Sequence, residues 1–271
     1  MSLMTREDML RELELLPVWQ SREPIKVVAS EVGTTEKVVA AHVDSANIDK
    51  VGASETDVSK ADASKFDDSK TDELSARSEL IQQMDWQSLQ QSVQSCQACV
   101  LAKTRTQTVF GAGDAHADWL FVGEAPGAEE DLQGEPFVGQ AGKLLDNMLA
   151  AIQLRRGQNV YIANVLKCRP PENRDPHDEE ISQCQPYLKR QVALIQPKLI
   201  VALGKFAAQT LLQSENTPAE NTLASLRGQL HDYHGMPVIV TYHPAYLLRS
   251  LADKAKAWED LCFAKKTMQG L

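Results

Sequence analysis

Phe121-Val-Gly-Glu-Ala-Pro-Gly-Ala-Glu-Glu-Asp-Leu-Gln-Gly-Glu-Pro-Phe-Val-Gly139 carries the transition from which a fold can be argued. Trp119 to Val122 is an apolar run without polar alternation, which predicts a strand buried on both faces of a parallel sheet. Gly123, Pro126 and Gly127 break that run at once. Glu124, Glu129, Glu130 and Asp131 follow, and Gly139 then opens a helical spacing of Leu144, Leu145, Met148 and Ile152. Ligands of open α/β sheets sit at the carboxyl ends of strands, so chemistry is expected where this strand stops. The Gly123-x-x-x-Gly127 spacing serves either a phosphate cradle or a tight turn. It lacks the Lys-Ser/Thr of a P-loop and the Gly-x-Gly-x-x-Gly of a dinucleotide site. The carboxylates belong either to a site or to a solvated acidic loop.

The pattern repeats downstream. Residues 160–163, 199–203 and 238–241 read as further strands, and residues 178–195 and 205–212 as helices. Strands alternating with helices predict a three-layer αβα sandwich around a four-stranded, mainly parallel sheet. Each predicted strand ends on a distinctive group: Glu124, Asn164, Gly204, and the run His243-Pro-Ala-Tyr-Leu-Leu-Arg249. A carboxylate, an amide and an imidazole thus converge on one sheet edge, the arrangement of a functional site. Taken singly, Asn164 could bond a neighbouring loop and His243 could be structural.

The 271 residues are 43% hydrophobic, enough for a proper core. Charge is unevenly placed: of the net −9, residues 1–90 carry −8 and residues 91–271 carry −1. Acidity is therefore no argument against a nucleic-acid partner for the C-terminal part. No apolar run approaches the roughly 18 residues of a membrane span, and no signal-peptide pattern opens the chain, so a cytoplasmic protein is expected.

Residues 1–22 read as a short amphipathic helix, capped by Thr5 and ended by Pro17, with Met9, Leu10, Leu13, Leu15 and Leu16 on its apolar side. Residues 23–80 read as a disordered acidic, Ser-rich linker, because residues 44–78 are almost all Ser, Asp, Lys, Ala, Thr and Glu. Such a composition buries too little apolar surface to offset chain entropy. Residues 81–271 form the folded domain.

Five cysteines in a reducing compartment argue against a disulfide framework. Cys96 and Cys99 form a Cys-x-x-Cys pair, which alone fits a redox pair, half a metal site, or chance. Cys168 and Cys184, separated by 15 residues, supply two more thiols that could meet the first two in space. Four thiolates suit zinc and an iron-sulfur cluster equally. Cys262 falls on the apolar side of the last predicted helix and reads as a packing residue.

Gly123-Glu-Ala-Pro-Gly127 with Glu129-Glu-Asp131, then Pro136-Phe-Val-Gly139, Asn164-Val-Leu-Lys-Cys-Arg-Pro-Pro171 and His243-Pro-Ala-Tyr-Leu-Leu-Arg249 together closely resemble the family 4 uracil-DNA glycosylases over about residues 92–268. The resemblance implies hydrolysis of the bond joining uracil to deoxyribose in single- or double-stranded DNA, by a monomer. It implies a [4Fe-4S] cluster held by Cys96, Cys99, Cys168 and Cys184, structural rather than redox-active because hydrolysis transfers no electrons. Residues 4–20 weakly resemble the N-terminus of the psi subunit of bacterial clamp loaders, which implies a docking peptide for a clamp loader or other replication partner.

The site roles the resemblance implies make physical sense. Gly123 and Ala125 border the base, Phe137 stacks on the flipped uracil, and Asn164 reads its edge, accepting from N3–H and donating to O4. Cytosine presents the opposite pair and leaves two polar groups unmatched. His243 donates to O2 and stabilises the departing anion, while Glu124 orients water and offsets charge on the sugar. Leu247 is the expected wedge in the vacated stack, with Leu248 the second choice. Lys167, Arg169 and Arg249, with amides near Gly127 and Gly228, are expected to hold phosphates. Family 1 enzymes place an Asp where this chain has Ala125 and a thymine-excluding Tyr where it has Gly127. Glu130 is accordingly the rival to Glu124 as base, or the group that blocks the thymine methyl. Two other classes compete: a non-catalytic Fe-S DNA-binding module that tethers a partner, and a nucleotide hydrolase on a similar sheet.

Overall fold

A computed structural model describes residues 68–212 and 222–271. The helix expected near the N-terminus, its docking role and most of the expected linker lie outside the described residues. In chain order the elements are α1 (Asp68–Gln82), α2 (Trp86–Gln94), β1 (Ala112–Gly113), β2 (Trp119–Gly123), α3 (Ala128–Gln133), α4 (Gln140–Ala151) and β3 (Val160–Asn164). They continue with α5 (Asp178–Ile195), β4 (Leu199–Leu203), α6 (Lys205–Leu212), α7 (Leu223–Leu226), β5 (Leu230–Tyr233), β6 (Met236–Thr241), α8 (Pro244–Leu247) and α9 (Lys254–Gln269).

The four predicted strands form the centre of the sheet, all parallel, in the order β3-β2-β4-β6. Every residue of β2, β3 and β4 is buried, which is why their sequences show no alternation. Alternate residues nevertheless feed different layers. Leu120, Val122, Ala163, Ile200 and Val240 pack into one core, whereas Phe121, Ile162, Val201 and Ile239 pack into the other. The first core lies under α1, α2, α5 and α6, the second under α4 and α9.

Two edge strands extend the expected four-stranded parallel centre: among the described residues the sheet has six strands and is mixed, with β1 antiparallel to β3 and β5 antiparallel to β6 at its two edges. β1 is only Ala112–Gly113, and β5 reads Leu-His-Asp-Tyr with only Tyr233 buried, so neither carries an apolar run. One correction concerns the linker, whose last residues form the start of α1. Tertiary contacts override the polar composition there. Ile81 is buried, and Arg77 donates to the Gln183 carbonyl at 2.7 Å while its guanidinium lies 5.0 Å from the centre of the Tyr187 ring. A second correction concerns Cys262, which is exposed; Ala257, Leu261 and Ala264 make the buried face of α9.

Candidate active site and cysteine cavity

β2, β3 and β6 deliver their ends to one cleft of about 410 Å³. Glu124, Ala125, Gly127, Glu130, Phe137, Asn164, His243 and Arg249 all line it, so most of the expected site residues meet in one place. The chain reaches this cleft because parallel strands all point the same way, and each loop leaves the sheet on the same edge.

Asn164 is the last residue of β3 and is buried, and its Oδ1 has no hydrogen-bond partner among the described residues. A buried acceptor left unmatched costs free energy, so it signals a donor that arrives with a ligand. Gly123 faces it from β2. A Cβ on Gly123 would collide with Asn164 Oδ1 and approach Phe137 Cζ to 2.6 Å, so glycine keeps the floor of the cleft open. Phe137 is buried with φ of 56°, a left-handed conformation unusual for a bulky residue. Arg156 holds that turn by donating to the carbonyls of Pro136 at 2.6 Å and Phe137 at 2.8 Å, while pairing with Asp146.

The two rival carboxylates differ sharply. Glu130 accepts from the backbone amides of Gly127 at 3.1 Å, Val138 at 2.9 Å and Gly139 at 3.1 Å, which staples the loop after β2 to the start of α4. The Glu124 carboxyl bonds to none of the described residues. Burial raises its pKa to about 7, and the charge of Asp175 across the cleft adds to the rise.

His243 caps α8, with Nδ1 accepting from the Ala245 amide at 3.2 Å. The neutral ring therefore carries its proton on Nε2. Enclosure by the protein lowers its pKa to about 4, against the charge of Glu130 and with that of Arg249. Its ring lies 5.5 Å from that of Phe137, tilted by 32°. Leu247, the expected wedge, is buried in the second core and cannot enter a base stack from there. Leu248 is 43% exposed on the same turn, and Tyr246 and Leu251 close by are exposed too.

Cys96, Cys99, Cys168 and Cys184 line one small cavity between α2, the loop after β3 and α5. Arg105 donates to Cys168 Sγ at 3.0 Å and Arg77 to Cys96 Sγ at 3.6 Å, while the Lys167 amide donates to Cys184 Sγ at 3.2 Å. Donors aimed at sulfur fit a site meant for thiolates. Burial pushes the Cys184 thiol up to about 12 and also raises those of Cys168 and Cys99, so a metal binding here must displace protons. No group of three or more His, Cys, Asp and Glu side chains among the described residues is arranged to hold a metal ion.

Three of the expected phosphate contacts change. Lys167 is 1% exposed, with its ammonium bonded to the Asn164 carbonyl at 2.7 Å and Gln191 Oε1 at 2.6 Å, so it offers nothing to a phosphate. Gly228 is exposed but does not line the cleft. Arg169 is half-buried and its Nε is engaged by Asn173 Oδ1 at 2.7 Å, whereas Arg249 is exposed on the rim. Sequence reasoning missed Arg156, Asp175 and Tyr246. Arg156 sits in an Arg-Arg-Gly turn far from every motif, and only its reach to Phe137 reveals it.

A central parallel sheet with a cleft at its carboxyl edge defines a class. The family model described as the uracil DNA glycosylase superfamily matches residues 110–262. A type-4 uracil-DNA glycosylase of Archaeoglobus fulgidus is 51% identical over 163 residues, 58% of this chain and 79% of the relative. That of Pyrobaculum aerophilum is 41% identical over 184 residues, covering 66% and 92%, and that of Thermotoga maritima 42% over 165 residues, covering 60% and 83%. The chain belongs to the type-4 uracil-DNA glycosylases. No helix among the described residues is long and apolar enough to cross a membrane.

Proposed function

We propose that this chain removes uracil from DNA by hydrolysing the N-glycosidic bond of a flipped-out deoxyuridine, the first step of base excision repair. The single observation that carries the reading is the buried, unpartnered Oδ1 of Asn164 on the floor of the cleft. Uracil N3–H supplies the donor that this oxygen lacks, and the Asn164 amide donates to O4. Cytosine offers an acceptor at N3 and leaves the oxygen unmatched, at a cost of about 1–3 kcal/mol per buried polar group. Phe137 stacks on the base. The His243 Nε2–H donates to O2 as the C1′–N1 bond breaks and its electron pair moves into the base.

Glu124 is the group we assign to water. Its carboxyl bonds to none of the described residues and burial raises its pKa to about 7, whereas Glu130 is held by three backbone amides. Ionised Glu124 accepts a proton from the water whose oxygen bonds to C1′, and it offsets positive charge on the sugar. Glu130 shapes the loop. We assign a phosphate contact to Arg249, which is exposed at the rim, and the wedge role to the exposed Leu248.

Cys96, Cys99, Cys168 and Cys184 are the ligands we assign to a [4Fe-4S] cluster. Four thiols that line one shared cavity suit a cluster that uses one thiolate per iron. Held by these four cysteines, a cluster would supply no chemistry to hydrolysis and would join α2, the loop after β3 and α5. Residues 4–20 remain a proposed docking peptide for a replication partner on sequence grounds alone, and a monomeric cytoplasmic enzyme suits chemistry on one flipped base.

The test is release of free base from oligonucleotides carrying one deoxyuridine or one deoxycytidine in the same context. Release of uracil and not of cytosine is expected. A folded protein that binds the oligonucleotide and releases neither is the non-catalytic module instead.

A further inference from the structure

Lys167 is buried, charged and absent from every step of the reaction proposed above. Its position explains why. The ammonium donates to the main-chain carbonyl of Asn164 at 2.7 Å, where the strand ladder of β3 ends, and to Gln191 Oε1 at 2.6 Å. Gln191 is itself fully buried, and its amide is oriented by donating to the Phe110 carbonyl at 2.9 Å. The other side of Lys167 belongs to the cysteine site. The residue lines that cavity, and its amide bonds to Cys184 Sγ. Between the two ends the backbone has no slack: Val165 donates to the Gly123 carbonyl at 2.9 Å, Leu166 to that of Glu124 at 3.0 Å, and the Lys167 carbonyl accepts from Val109 at 2.8 Å.

We propose that Lys167 is a positioning residue that ties the main chain of Asn164 to the four-cysteine site, so that the ordered site sets where the base-reading amide stands. Burying an ammonium is costly unless its partners are good, and an apolar side chain of similar length would fill the same space. What the apolar chain would lack is the bond to Asn164. It would leave two buried oxygens, the Asn164 carbonyl and Gln191 Oε1, without donors. The same short segment also holds the Glu124 carbonyl through the Leu166 amide, so a shift of Asn164 moves the mouth of β2 with it.

The proposal rests on Asn164 as the reader of uracil, and a double-mutant cycle separates the two ideas. Lys167→Met is made in the wild-type and Asn164→Ala backgrounds of the full chain. Four quantities are read: single-turnover release of uracil, KM for the oligonucleotide, affinity for free uracil by calorimetry, and visible absorption of the cluster. With wild-type Asn164, Lys167→Met is expected to slow release about 10- to 100-fold and weaken free uracil about 10-fold, with KM for the oligonucleotide changed less than about 2-fold. With Asn164→Ala, the same substitution is expected to change rate and affinity by less than about 2-fold. Equal losses in both backgrounds, or no loss in either, overturn the proposal while leaving the function intact. If Lys167→Met does not fold, Gln191→Leu removes the other anchor of the ammonium. A loss confined to the wild-type background supports the tie, and equal losses overturn it. Failure of the wild-type chain to release uracil or bind it overturns the reading of Asn164 and with it this proposal.

Discussion

At the scale of single residues, the cleft is defined by groups held out of their ordinary states. Asn164 keeps an unmatched acceptor, His243 is kept neutral with its pKa lowered to about 4, and Glu124 is raised to about 7. The last has two measurable consequences. If ionised Glu124 accepts the proton of water, kcat/KM rises with pH through about 7 and then levels, and Glu124→Gln removes that limb along with most of the rate. An acid limb unchanged in the variant would assign it to another group. The same shift bears on stability. The folded carboxyl holds its proton between 4.5 and about 7 while the unfolded chain has lost its own, so stability falls as pH rises across that window. Glu124→Gln should therefore be more stable than wild type at pH 8 by about 1–2 kcal/mol, allowing for solvent at a partly exposed carboxyl, and equal to it at pH 4. Chemical denaturation at the two pH values checks this. Gly123→Ala tests the floor of the cleft: its Cβ meets Asn164 and Phe137, so release of uracil should fall at least about 100-fold with the cluster absorption intact. A near-normal rate would mean that the cleft floor can give way.

At the scale of elements, legibility followed burial. β2, β3, β4 and β6 were readable because their apolar runs are needed on both faces, and α5 and α6 begin and end where their patterns do. β1 and β5 were not, since a two-residue edge and an exposed Leu-His-Asp-Tyr are paired by their neighbours rather than by their own composition. α1 was hidden for a related reason: its order comes from α5, through Arg77 and Ile81. In the run after β6 the sequence named both leucines of the wedge and ranked Leu247 first, with Leu248 second. Which one faces water depends on how α8 is rolled against α4 and the second core. The roll places Leu247 inside, so Leu247→Ala should destabilise the fold by about 2–5 kcal/mol. Leu248→Ala should leave stability within about 0.5 kcal/mol and slow release from duplex more than from single strands, where there is no partner stack to fill. Comparable slowing on both substrates would remove Leu248 from that role.

At the scale of the whole molecule, the base-reading edge and the cysteine cavity share the short segment from Asn164 to Cys168. The thiols and the site motifs were legible as residue types in order; the burial of Lys167 was not, because a lysine beside Cys-Arg-Pro-Pro has the look of a surface loop. Only the packing of α5, which brings Gln191 and Cys184 to that segment, turns it inward. Cys168→Ser should lose visible absorption and lower the Tm by about 5 °C or more, and a variant that stays folded, iron-free and fully active would remove the cluster from the account. The most direct measurement is single-turnover release of uracil and of cytosine from one oligonucleotide context by the intact chain and by Asn164→Ala. The intact chain should release uracil alone, and the variant, still folded and still coloured, should be slower by at least about 100-fold. A variant as fast and as selective as the intact chain would contradict the assignment of Asn164 and the site built around it.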